Sequence, residues 1–129
     1  MIDKETIANK NTKIKNFKDL RIWQESIKLV KDIYLLSKKF PKDEMYGLSS
    51  QMRRCAVSIP SNIVEGFRRY HNKEYKQFLY ITLGSCAELE TQVTIANDLE
   101  YIKEETKEEI NEKIQYICKM VSRLIQKLD

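Results

Sequence analysis

Four long stretches of this chain repeat apolar side chains at alternating intervals of three and four. That spacing draws one greasy stripe along a helix, whereas a half-buried strand would need strict alternation. Only three glycines and two prolines interrupt 129 residues, which implies long helices and few connections. The first stripe is Leu20, Trp23, Ile27, Val30 and Tyr34, and Ile22, Leu29, Ile33 and Leu36 widen it. The second is Leu48, Met52, Cys55/Ala56, Ile59, Ile63 and Phe67. The third is Tyr75, Leu79, Thr82, Cys86, Leu89, Val93 and Ala96, broadened by Phe78, Ile81 and Ile95. The fourth is Ile110, Ile114, Ile117, Val121, Leu124 and Leu128.

Polar residues at the ends of these stripes predict where the helices start. Asp19, Asp43 and Asn72 are in position to cap the first three, and Thr106 with Glu109 reads as a capping box opening the fourth. The predicted helices span about 19–39, 44–70, 73–98 and 106–128. Short connections make neighbours antiparallel, so the fold class is all-α, an up-down-up-down four-helix bundle over 17–129. Residues 1–16 are lysine-rich, with isoleucines too scattered for a core face, and are expected to form a flexible basic arm. Pro60 falls inside the second stripe. It lacks an N–H and crowds the carbonyl of Ala56, so a continuous helix kinked at Pro60 is expected, with Ser58 and Ser61 near the freed acceptor. The wide apolar arc of the first helix suggests contact on two sides, with two neighbouring helices or with another subunit.

Several phrases at these positions carry a family resemblance: Phe17-Lys-Asp-Leu20, Trp23-Gln24, Phe40-Pro41, Tyr46-Gly47-Leu48, Gln51-Met-Arg-Arg54, Ser58-Ile-Pro60, Asn62-Ile-Val-Glu-Gly-Phe67, Gly84-Ser85 and Glu88-Leu-Glu90. In this order and spacing the chain resembles the four-helix-bundle proteins encoded in intervening sequences of 23S ribosomal RNA genes. It is also similar to the accessory protein of diversity-generating retroelements. The usual phrase is Asn-Ile-Ala-Glu-Gly, from which Val64 departs. The resemblance implies a homo-oligomer, commonly a ring-shaped pentamer, with nucleic-acid binding, no catalysis, and a reverse transcriptase-like protein as a conceivable partner.

Charge is spread unevenly along the chain. Residues 1–42 hold 11 Lys/Arg against 5 Asp/Glu, 43–72 hold 4 against 3, 73–98 hold 2 against 4, and 99–129 hold 6 against 7. This concentrates positive charge in the arm and first helix, a modest pointer to a polyanion. Arginine forks suit phosphate, so Arg53, Arg68 and Arg69 are candidate nucleic-acid contacts, with Lys10, Lys13 and Lys15 of the arm. Tyr70 beside them could stack on an unpaired base. The expected binding is to the RNA or DNA backbone, because no recognition helix, zinc finger or RNA-binding sheet motif is present.

Counting residues outward from each turn puts Cys55, Cys86 and Cys118 in one layer, about 24 Å from His71 near the end of the bundle. Three thiols without a fourth ligand predict core packing and neither a metal nor a cofactor. An odd cysteine count without a CxxC pair, and a first segment lacking an apolar core, point to a reducing cytoplasm. The same count sets Arg54 beside Glu88 and predicts an interhelical ion pair, extended by Gln51 or Gln92. Asn62 and Glu65, three apart, share a helix face. They are expected to complete a structural polar network that anchors the second helix to a neighbouring helix or subunit. A catalytic Glu65 would need a second positioned group and a pocket, and neither is visible. The leading expectation is a non-enzymatic, self-assembling nucleic-acid binder; the alternative is a protein-interaction scaffold that binds no nucleic acid itself.

Overall fold

The structure, a computed structural model, describes residues 15–128. They contain four α-helices and no strand: α1 (Arg21–Ser37), α2 (Leu48–Phe67), α3 (Asn72–Asp98) and α4 (Glu104–Lys127). One 3₁₀ turn, Phe17–Asp19, precedes α1 and another, Lys42–Glu44, precedes α2. Contacts near each connection join consecutive helices: Arg53 to Ser37, Gly66 to Tyr75, and Asn97 to Glu104. Contacts farther along join Cys55 to Ser85 and Glu90 to Gln115. Consecutive helices therefore run antiparallel, and α4 closes on α1 through Lys113 and Asp32, 2.6 Å apart.

The third and fourth stripes enter the core residue for residue. The first does not. In α1 the buried face is Ile22, Ser26, Leu29, Ile33 and Ser37, while Trp23, Ile27 and Val30 are only half-buried and Tyr34 is exposed. Two serines made that face look polar, yet both are satisfied within the helix: Ser26 donates to the carbonyl of Trp23 and Ser37 to that of Ile33. Small side chains with their hydroxyls already bonded bury cheaply and let another helix approach.

The predicted caps are corrected as well. Asp19 lies in the 3₁₀ turn, where Asn16 accepts from the amide of Lys18, and α1 starts after Leu20 without a side-chain cap. Glu44, rather than Asp43, serves α2: one carboxylate oxygen accepts from the Leu48 amide at 3.0 Å and the other from the Tyr101 hydroxyl at 2.7 Å. These two donors hold the Glu44 carboxyl below its ordinary pKa. Asn72 and Thr106 are already helical, so neither caps. The α3–α4 connection instead closes with amide bonds from Glu100 to Asn97 and from Tyr101 to Ala96, with Glu100 left-handed at φ 65°.

α2 continues through a buried Pro60. The Ser58 hydroxyl goes to the carbonyl of Cys55, 2.6 Å, and not to that of Ala56, so the relief expected for the acceptor freed by Pro60 is not what Ser58 provides. A Cβ added to Gly66 would lie 2.9 Å from both Phe78 Cβ and a Tyr75 ring carbon, so α2 and α3 meet here at a distance that only glycine permits.

Candidate nucleic-acid interface

Antiparallel packing brings the start of α1, the α2–α3 connection and the end of α4 to one end of the bundle. Dividing the described chain at mid-helix, the half holding 15–28, 58–85 and 116–128 carries eleven Lys/Arg against four Asp/Glu. The half holding 29–57 and 86–115 carries nine against twelve. The charge gradient thus runs along the bundle axis, from a basic end to an acidic one, and not simply along the sequence.

At the basic end Arg68 is exposed and lies over the Phe17 ring, 5.5 Å from its centroid, which joins the α2–α3 connection to the 3₁₀ turn that carries Lys18. Phe17 is itself held edge-on by Trp23 at 5.4 Å. Lys15, Lys18 and Lys73 are exposed at the same end, and none of them makes an ion pair among the described residues. Tyr70 is 87% exposed, its ring perpendicular to that of His71 with centroids 4.8 Å apart. Lys18 and Lys73 escaped the sequence reading because they lie far apart in the chain; the signal that could have found them was proximity to the predicted turn and to the start of the first helix.

The other predicted contacts fare differently. Lys10 and Lys13 lie outside the described residues. Arg69 pairs with Glu65 at 3.0 Å and sits over Phe78 at 4.7 Å, so much of its charge is locally answered. Arg53 belongs to the opposite end. It is half-buried, donates from Nε to Ser37 Oγ at 2.8 Å and covers the Tyr34 ring at 4.8 Å. Its guanidinium meets the last turn of α1, where orphan carbonyls favour a cation. Arg53 is therefore a structural clasp between α1 and α2.

Within the protomer the predicted polar network does not form. Arg54 and Glu88 are both exposed and do not pair; Glu88 receives a 3.5 Å contact from Gln92 of its own helix and lies near Cys55. Asn62 donates to the carbonyl of Ser58 within α2, Glu65 turns to Arg69, and Gln51 stays exposed. What bridges α2 and α3 is smaller: Cys55 donates to the Ser85 carbonyl at 3.1 Å, and the Ser58 and Ser85 hydroxyls meet at 2.7 Å. Burial and the nearby Glu88 carboxylate push the Cys55 thiol up to about 12. The Cys86 and Cys118 thiols interact, which together with burial raises the pKa of Cys86, while the same interaction lowers that of Cys118. All three are free thiols. Among the described residues no group of His, Cys, Asp or Glu is arranged to hold a metal ion. None of the described helices is long and apolar enough to cross a membrane.

A second unclaimed surface lies between α1 and α2. Trp23, Ile27 and Val30 face Val57, Pro60 and Val64 across an open groove of about 380 Å³. Tyr34 at 42% exposure continues the apolar strip, and Val57 is 39% exposed.

The family model for the 23S rRNA-intervening sequence protein matches residues 18–123. The chain belongs to that family. Its fold is similar to a solved structure, a protein of unknown function of the S23 ribosomal protein family from Bacteroides thetaiotaomicron. The TM-score is 0.76 at 25% identity, covering 81% of this chain and 98% of that one. Among curated proteins nothing matches. The match to the 23S rRNA-intervening sequence family starts at Lys18 and ends at Arg123, so it takes in the α2–α3 connection and most of all four helices.

Proposed function

We propose that this 23S rRNA-intervening sequence family member is a non-catalytic scaffold that self-assembles, as a ring of five by its resemblance to related bundles, and binds RNA or DNA backbone. The observation that carries the proposal is the axial segregation of charge, with eleven cations against four anions in one half of the bundle. Unpaired exposed lysines and an arginine at one end suit phosphates, and copies aligned in a ring would present several such ends together, so weak contacts would add. The half-exposed apolar strip of α1 and α2 supports self-association, since Ile27, Val30, Val57 and Val64 line an open groove in partial contact with water.

Catalysis has little support. Glu65 is engaged by Arg69 on the surface, Cys55 and Cys86 are buried with raised pKa values, and His71 is isolated in a turn. A cytoplasmic location accords with three free thiols.

The test is a titration of structured RNA and of duplex DNA at several salt concentrations, with light scattering on the same preparation. Affinity that falls steeply with salt, from an assembly larger than one chain, is the expected result. An intact assembly that retains neither nucleic acid near physiological salt would favour the alternative, a scaffold that docks a protein such as a reverse transcriptase.

A further inference from the structure

The tyrosine at the tip of the basic end narrows the nucleic-acid reading, on which this inference rests. Tyr70 occupies the connection between two long helices, and its ring makes a perpendicular contact with His71 while 87% of the residue faces solvent. A large aromatic so exposed contributes nothing to the core. It lies two residues from Arg68 and three from Lys73, with Lys15 and Lys18 joined to the same end through the contact of Arg68 with Phe17. The first amides of α3, which no side chain caps, open beside it and can donate to an anion.

We infer that this end of the bundle binds single-stranded nucleic acid, with Arg68, Lys15, Lys18 and Lys73 on phosphates and an unpaired base stacked on Tyr70. The distinction from a duplex is physical. Cations alone answer the phosphates of either form, whereas an aromatic face can be used only by a base whose own face is free. A phenol ring preset by its neighbour also loses little freedom on stacking, because Tyr has only two side-chain torsions. Stacking is tolerant of sequence, so preference for strandedness and little preference for base identity are both expected.

The experiment measures fluorescence anisotropy with labelled oligouridylate and oligothymidylate of about 20 nucleotides, and with a DNA duplex of equal length, near physiological salt. Wild-type protein is compared with Tyr70→Ala, Tyr70→Phe and Arg68→Ala, and circular dichroism verifies that each variant keeps its helices. Tyr70→Ala should lower single-strand affinity roughly five- to hundredfold and leave duplex affinity unchanged, while Tyr70→Phe retains both. Arg68→Ala should weaken both substrates. Equal affinity of Tyr70→Ala and wild type for the single strands, or an equal loss on duplex, overturns the stacking inference and leaves backbone binding standing. If wild-type protein holds none of the three probes, the broader nucleic-acid reading falls with it.

Discussion

Arg53 and Arg68 are the same residue type on the same helix, and their surroundings give them opposite work. Arg53 is half-buried with its Nε on Ser37 and its plane over Tyr34, whereas Arg68 is exposed with only the Phe17 ring beneath it. Removing a charged donor from a half-buried hydroxyl costs about 1–2 kcal/mol, so Arg53→Ala should lower the melting temperature without altering the salt slope of nucleic-acid binding. Arg68→Ala should cost only about 0.5 kcal/mol through the lost ring contact. Its effect should appear instead as a slope of log affinity against log salt shallower by about 0.8. Thermal melts and salt titrations of the two variants separate the roles, and the reverse pattern would contradict them. Sequence could list these arginines but not rank them, because the partner that accepts from Arg53 is a serine whose burial depends on how α1 is turned.

At the level of elements, the α2–α3 pair shows why helix position is legible and helix contact is not. The 3- and 4-spaced stripe of α3 is buried residue for residue, whereas Ile81 and Ile95, which broaden it in the sequence, face solvent. Gly66 and Gly84 look alike in the sequence, both isolated in helical stretches, yet a Cβ at Gly66 meets atoms at 2.9 Å and one at Gly84 meets nothing within 4 Å. Gly66→Ala should therefore be destabilising, because an overpacking cost of about 1–3 kcal/mol exceeds a helix-propensity gain of at most about 1 kcal/mol. Gly84→Ala should stabilise the protomer by up to about 1 kcal/mol. Denaturant midpoints of both variants would check the signs, and a stabilised Gly66→Ala would mean the helices are farther apart than described. The predicted bond between Arg54 and Glu88 failed for a related reason: counting from a turn fixes height along a helix, but rotation about its axis decides whether two side chains point at each other or at water.

The whole molecule presents two features larger than any element, an axial charge gradient and an apolar strip along α1 and α2. If that strip is the contact between copies, a charge within it should dissociate the assembly while leaving the protomer folded. Val57→Glu is suited to this, being 39% exposed and outside the core. Light scattering should report a smaller particle with unchanged helical circular dichroism, and a full-sized particle would move the contact elsewhere. Loss of assembly should also weaken nucleic-acid retention, since each end would then bind alone.

The residues alone were enough for four helices, their approximate limits, and the core faces of α3 and α4, because periodicity, few glycines and short connections leave few alternatives. They also supplied the family resemblance. Three matters waited for the packed chain. Which of two apolar arcs of α1 entered the core depended on serines that satisfy their own hydroxyls within the helix. The capping of α2 depended on Glu44 and on a tyrosine 57 residues away. The basic end exists only because antiparallel packing gathers cations from three separate segments, and no reading along a line can add charges that meet only in space.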